Sequence, residues 1–297
     1  MAYVYIFLSC MIKCHITRDA SMVNLITLSK IALWTITIVA STILLKGKKI
    51  TSRNRFGFLI IGTIIFGFIY GQLSPLNPNP MSLLNNLLLN LKGVPLPVPI
   101  QLSGLMLLLM LVFVVISNKS ICGWGCQLGL LQDALYRVPT PKFNVSKKVT
   151  AITRILFFTT FMALLFYSGM NILGLMDPFG LFQLSLTTIS GLTLLSVTLA
   201  SIVFYRPWCR FLCPFGLTGL VVEQFSLFRP RVDRDKCVNC MQCVEACPTG
   251  AMKDFFDENS FHNDCFACGA CIQACKFNAL NWLRSTRSID KSEGHTS

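Results

Sequence analysis

Residues 237–248 read Cys-Val-Asn-Cys-Met-Gln-Cys-Val-Glu-Ala-Cys-Pro, and residues 265–276 read Cys-Phe-Ala-Cys-Gly-Ala-Cys-Ile-Gln-Ala-Cys-Lys. Each stretch spaces four thiols as Cys-x2-Cys-x2-Cys-x3-Cys. Zinc also takes Cys-x2-Cys pairs, in closed tetrahedral sites. Two complete sets of four argue instead for soft thiolates wrapping iron–sulfur cubanes, three ligands from one run and the fourth carried to the other cluster. The Gly250–Ala251 and Asn278–Ala279 turns, each just past a fourth cysteine, fit two similar halves packed about a small core. Asn239, Gln242 and Gly269 stand where they could tune such clusters or simply close tight loops.

Upstream the composition changes character. The chain of 297 residues is 53% hydrophobic and 13% charged, against roughly 25% charge in a soluble domain. Its formal charge of +13 is spread along the flanks of apolar stretches, where Lys and Arg set topology, so no nucleic-acid partner is expected. A secreted disulfide scaffold is excluded by the cysteine spacings, which fall on segments that the positive-inside rule assigns to a reducing compartment.

A membrane helix needs about 20 apolar residues. Five stretches approach this: Asn24–Leu45, Phe56–Leu73, Ile100–Ile116, Ile155–Leu175 and Leu184–Tyr205. Lys30 fits the first if it snorkels to an interface. Lys46, Lys48, Lys49, Arg53 and Arg55 lie between the first two spans, and Lys119, Arg137, Lys142, Lys147, Lys148 and Arg154 between the third and fourth. The Ser74–Pro99 loop carries only Lys92, and the loop around Asp177–Pro178–Phe179–Gly180 has neither Lys nor Arg. These two loops are expected outside, the N-terminus outside, and everything after Tyr205 in the cytoplasm, with the spans in the inner membrane. The expected organisation is an N-terminal segment (1–23) with no convincing signal-peptide cleavage site, a membrane all-α bundle of about five helices (24–226), a small α+β two-[4Fe–4S] ferredoxin module (227–284) and a polar tail (285–297).

Two further pairs, Cys122/Cys126 and Cys209/Cys213, each follow a span that runs from outside to inside. An i, i+4 spacing on a helix puts both thiols on one face, and the pairs are expected to converge as one additional redox or metal site, against the simpler reading of four small buried hydrophobes.

The two four-cysteine runs resemble bacterial two-cluster ferredoxins. That resemblance implies Cys237, Cys240, Cys243 and Cys275 on one cluster and Cys265, Cys268, Cys271 and Cys247 on the other, so iron is held through these eight. Together with the membrane spans and the Cys-x3-Cys pairs, the chain resembles the NapH-type quinol dehydrogenase family, related to NosR-like and CcoG-like membrane iron–sulfur proteins, over about Arg53 to Arg284. The departures are Gln127 where the first pair's proline should stand, and an extra first span. The resemblance implies electron transfer between a quinone pool and a redox partner, a ferredoxin-type or cytochrome subunit.

None of the three histidines, His15, His262 and His295, lies in a span, and no Cys-x-x-Cys-His occurs, so no haem is expected. Candidate quinone-facing polar groups are Asp177, Gln183, Gln127 and Asp133, since an acid beside a span is a functional hypothesis; Asp177 equally suits a helix-ending turn. The competing functions are a metal-reducing assembly factor for a respiratory enzyme and a membrane thiol or cluster redox sensor.

Overall fold

The computed structural model describes residues 20–73, 79–94, 100–259 and 261–284, with side chains from 25 to 283. The segment 1–19, the polar tail 285–297, His15 and His295 lie outside the described residues. Four helices are long and apolar enough to cross a membrane: Leu25–Lys46 within α1 (Ala20–Lys46), α2 (Ser52–Leu73), α4 (Ile100–Ser117) and α7 (Lys147–Ser168). A fifth apolar helix, α8 (Thr188–Val203), has 16 residues, about 24 Å of rise, short of a 30 Å hydrocarbon core.

Two expected spans shift for local reasons. The fourth begins at Lys147 instead of Ile155, because Ser146 caps Val149 N–H, and it ends at Ser168, because Gly169 takes a left-handed φ of 79°. Hydropathy had assigned Lys147, Lys148 and Arg154 to a loop, yet all three are helical. The fifth starts at Thr188 instead of Leu184. Leu184 is left-handed (φ 51°), and Thr187 and Ser190 form a capping box that fixes the N-terminus. The stretch expected as an outer loop contains α3 (Pro80–Leu91), capped by Asn79 with Pro80 in its first turn, which buries Met81, Leu83, Leu84 and Leu88.

After α4, the chain makes a short helix α5 (Ser120–Trp124) and then α6 (Gln127–Tyr136); after α8 it makes a wide π turn (Trp208–Leu212) and then α9 (Pro214–Val222). Both α6 and α9 turn back into the bundle. Leu128, Leu130 and Phe215 are fully buried there, α6 against α2 and α8, α9 against α3, α4 and α7. Lys30 does not reach an interface. It is buried, its ammonium 5.0 Å from the Trp34 ring centre and 5.9 Å from that of Tyr70.

The C-terminal module pairs β1 (Phe228–Val232) antiparallel with β2 (Leu280–Arg284), Pro230 opposite Trp282, and adds short helices at Gln242–Glu245, Ala251–Phe256 and Ala270–Ala274. Leu45, Ile50 and Trp124 of the helical part join Met252, Phe256, Ile272, Leu280 and Trp282 in one core. The module is therefore docked on one end of the bundle, where Lys46 lies 4.3 Å from the Phe228 ring centre and Lys147 pairs with Asp254. At the other end Lys92 donates to Leu165 O, and Gln72 to Phe182 O at 2.9 Å.

This arrangement generates a topology test. Reporter fusions after Gly93 and after Gly180 are expected to read one side of the membrane, and fusions after Lys147 and at Ser297 the other. A common side for Gly93 and Lys147 contradicts the arrangement.

Candidate functional site

Two cavities hollow the C-terminal module. One is lined by Cys247, Cys265, Cys268 and Cys271 together with Tyr205 of the bundle. The other is lined by Cys237, Cys240, Cys243 and Cys275. Each thus has three thiols from one run and the fourth from the other run.

The donor chemistry suits a sulfur-rich cluster. Met252 N–H donates to the Cys247 sulfur at 3.4 Å, and the Thr249 hydroxyl lies 3.5 Å from it. Trp282 lines the same cavity, and its buried indole N–H has no partner among the described residues, the kind of orphan donor that a bound sulfide satisfies. Burial pushes the Cys265 and Cys271 thiols well above their ordinary range, and neighbouring cysteines add to the shift. Such groups become good ligands only when a metal displaces the proton. Asn239 and Gly269 hold left-handed loop positions (φ 54° and 78°).

The Cys247/Cys265/Cys268/Cys271 cavity faces the bundle through Phe266. The Tyr205 ring stands 6.1 Å from Phe266, Trp124 Nε1 donates to Ala267 O at 2.9 Å, and Lys119 N–H donates to Cys265 O at 3.0 Å. A Cβ on Gly123 would sit 2.0 Å from Phe266 O, so the first Cys-x3-Cys segment approaches the module as only glycine allows.

That segment repeats in detail. Cys126 precedes α6 and Cys213 precedes α9, each in extended conformation at the helix start. Leu130 N–H donates to Cys126 O and Gly216 N–H to Cys213 O, each at 2.9 Å, so both cysteine carbonyls anchor the helix that follows. A Cβ on Gly129 would lie 2.5 Å from Cys122 O, and one on Gly216 2.3 Å from Cys209 O. The signal Cys-x3-Cys-x2-Gly was present twice in the sequence and passed unread. All four cysteines are buried in one cluster, and Gln132 Nε2 donates to the Cys209 sulfur at 3.5 Å.

Buried ion pairs fix this junction. Asp264 takes Arg154 Nη2 at 2.8 Å and also the Lys119 ammonium, which reaches Glu223 at 3.2 Å. Burial alone would raise the Asp264 carboxyl, yet Lys119 and Arg154 hold it well below the ordinary carboxylate range. Asp133 joins Arg55 (2.9 Å) and Arg206 (2.8 Å), while Arg206 also donates to Cys122 O at 2.6 Å. Arg55, Lys119 and Arg154, read as topology charges, are therefore internal. Asp133 is a structural partner, and Asp177 caps Phe179 N–H at 2.9 Å, the turn role. Gln183 ends that turn. Gln127 is fully buried, and neither of its amide atoms has a hydrogen-bond partner among the described residues.

The family described as "4Fe-4S binding domain" matches twice: one such family covers residues 230–253, and a second covers 101–146 and 186–232, the segments that contain the two Cys-x3-Cys pairs. The chain is 28% identical to an uncharacterized protein of Methanocaldococcus jannaschii (61% of this chain, 71% of that protein). It is also 28% identical to the ferredoxin-type protein NapH of Haemophilus influenzae (48% and 51%) and to the methylamine utilization ferredoxin-type protein MauN of Methylorubrum extorquens (47% and 51%). The match spans about half the length of the latter two. No solved structure matches the chain. The resemblance to NapH-type ferredoxin membrane proteins read from the motifs is thus shared by curated relatives.

Removing one partner of a buried ion pair strands the other. Asp264→Ala is expected to lower stability by about 3–5 kcal/mol, read as earlier thermal unfolding and faster proteolysis of the module. Lys147→Ala, at a pair whose lysine is 57% exposed, should cost no more than about 1 kcal/mol. Because the folded carboxyl of Asp264 is depressed, its contribution is complete above about pH 4 and fades as pH falls toward the folded value. Equal losses in the two variants contradict this reading of the junction.

Proposed function

Taking the likeness to NapH-type ferredoxin proteins as premise, we propose that this chain is a membrane-bound iron–sulfur protein that passes electrons between the quinone pool and a redox partner. Cys237, Cys240, Cys243 and Cys275 hold one [4Fe–4S] cluster, and Cys265, Cys268, Cys271 and Cys247 the second. The observation that carries the assignment is the lining of the two cavities, each with its full set of four thiols drawn from both runs. Bound there, such clusters exchange single electrons at potentials set by hydrogen bonds and exposure.

The protein's own residues supply position. The cavity lined by Cys247, Cys265, Cys268 and Cys271 meets the bundle through Tyr205 and Phe266, whereas Cys240 is exposed on the module's surface. One cavity therefore suits exchange with the membrane side and the other exchange with a soluble or membrane-anchored redox partner. The module stands on the cytoplasmic side of the inner membrane in this reading, as the Lys and Arg of the connections direct.

The experiment is metal and sulfide analysis of anaerobically purified protein. Cys240→Ser and Cys268→Ser are each expected to remove or convert one of two interacting cubane signals in electron paramagnetic resonance, leaving the helices inserted, since insertion rests on apolar spans. Zinc in place of iron in the module overturns the proposal.

A further inference from the structure

We infer that the indole N–H of Trp282 donates a hydrogen bond to the cluster held by Cys247, Cys265, Cys268 and Cys271, and that this bond raises the potential of that cluster alone. The inference deepens the electron-transfer reading and rests on the cluster assignment made there; its test separates the two.

The strand places the ring. Side chains alternate along β2, so Leu280 and Trp282 face the module's core at 2% exposure each, while Leu283 is exposed. Trp282 lies opposite Pro230 in the ladder, and both line the cavity that holds the four thiols. Met252, Phe256 and Ile272 share its core and hold the ring there.

An account of the polar groups then singles out one donor. The Tyr205 hydroxyl, at the cavity's edge, donates to Asp133 at 3.3 Å. The Thr249 hydroxyl accepts from Ala251 N–H at 3.4 Å and lies 3.5 Å from the Cys247 sulfur. Trp124, the indole packed on the same run of cysteines, donates to Ala267 O at 2.9 Å. Trp282 Nε1 is buried and has no hydrogen-bond partner among the described residues. An indole N–H can only donate, and a buried donor left unmade costs free energy that an apolar ring in the same place would not. The acceptors this cavity's chemistry supplies are the sulfurs of a bound cubane.

The consequence is electrostatic. Uptake of one electron adds a unit of negative charge, breaks no bond and moves no proton. A hydrogen bond to an acceptor strengthens with the acceptor's negative charge, so Trp282 favours the reduced state. The second cavity has no counterpart: beyond its thiols it is lined by apolar side chains such as Val238, Met241, Phe256 and Phe277. Trp282 therefore draws electrons toward the cavity that faces the bundle through Tyr205 and Phe266.

Full-length protein, purified anaerobically in detergent, is titrated with reductant while its cubane signals are followed by electron paramagnetic resonance. Trp282→Phe is expected to lower the midpoint potential of the signal that Cys268→Ser removes, and to leave in place the signal that Cys240→Ser removes. In the wild-type chain with isotope-labelled indole nitrogens, pulsed resonance of the reduced state is expected to show a coupled indole nitrogen and an exchangeable proton, both kept in Trp124→Phe and lost in Trp282→Phe. Unchanged potentials in a Trp282→Phe protein that retains both signals overturn the inference, and so do equal shifts of the two signals, which lost packing alone would give. Absence of any indole coupling in the wild-type chain overturns it as well, a result that needs no variant to fold. Absence of both cubane signals contradicts the proposed function and takes this inference with it.

Discussion

Asp264 lies fully buried between Lys119, which precedes the first Cys-x3-Cys segment, and Arg154 of α7, and it sits next to Cys265 in the module. A carboxylate cannot be left there uncompensated, so the bundle and the module are bound to form together. Arg154 Nε donates to Arg210 O at 2.8 Å and Nη1 to Gly216 O at 3.1 Å, so the same guanidinium also braces the second Cys-x3-Cys segment. Glu223, at the end of α9, accepts from Cys265 N–H at 3.1 Å. One buried ionic knot thus sets the module's distance from both repeats.

Such a knot is a poor source of net stability, since hydrophobic replacements often serve as well. Its use here is register. Trp124, Tyr205 and Phe266 have to meet for one thiol-lined cavity to face the bundle, and apolar packing alone tolerates slippage that paired charges do not. Glycine at 123 lets the backbone of the repeat come against Phe266.

The ferredoxin motifs and most of the apolar helices were legible in the sequence because both rest on local patterns: cysteine spacing and runs of hydrophobic residues. The fourth and fifth helices were misplaced by several residues because caps such as Ser146 and Thr187 and left-handed positions such as Leu184, not hydropathy, fix their ends. Arg55, Lys119 and Arg154 were read as surface charges setting topology. Composition counts a cation identically whether it meets water or Asp133 and Asp264, and those partners come from distant segments. The repeat at Gly129 and Gly216 was visible but carries meaning only once the carbonyls of Cys122 and Cys209 are seen against them.

The central claim is that electrons from the membrane reach the thiol-lined cavities of the module. It is tested most directly by adding a reduced quinol to the full chain in lipid vesicles under anaerobic conditions and following the iron–sulfur absorbance. The account predicts bleaching by quinol, slowed when Asp264→Ala loosens the junction, with dithionite still bleaching the clusters. Full bleaching by dithionite with none by quinol in the wild-type chain contradicts it.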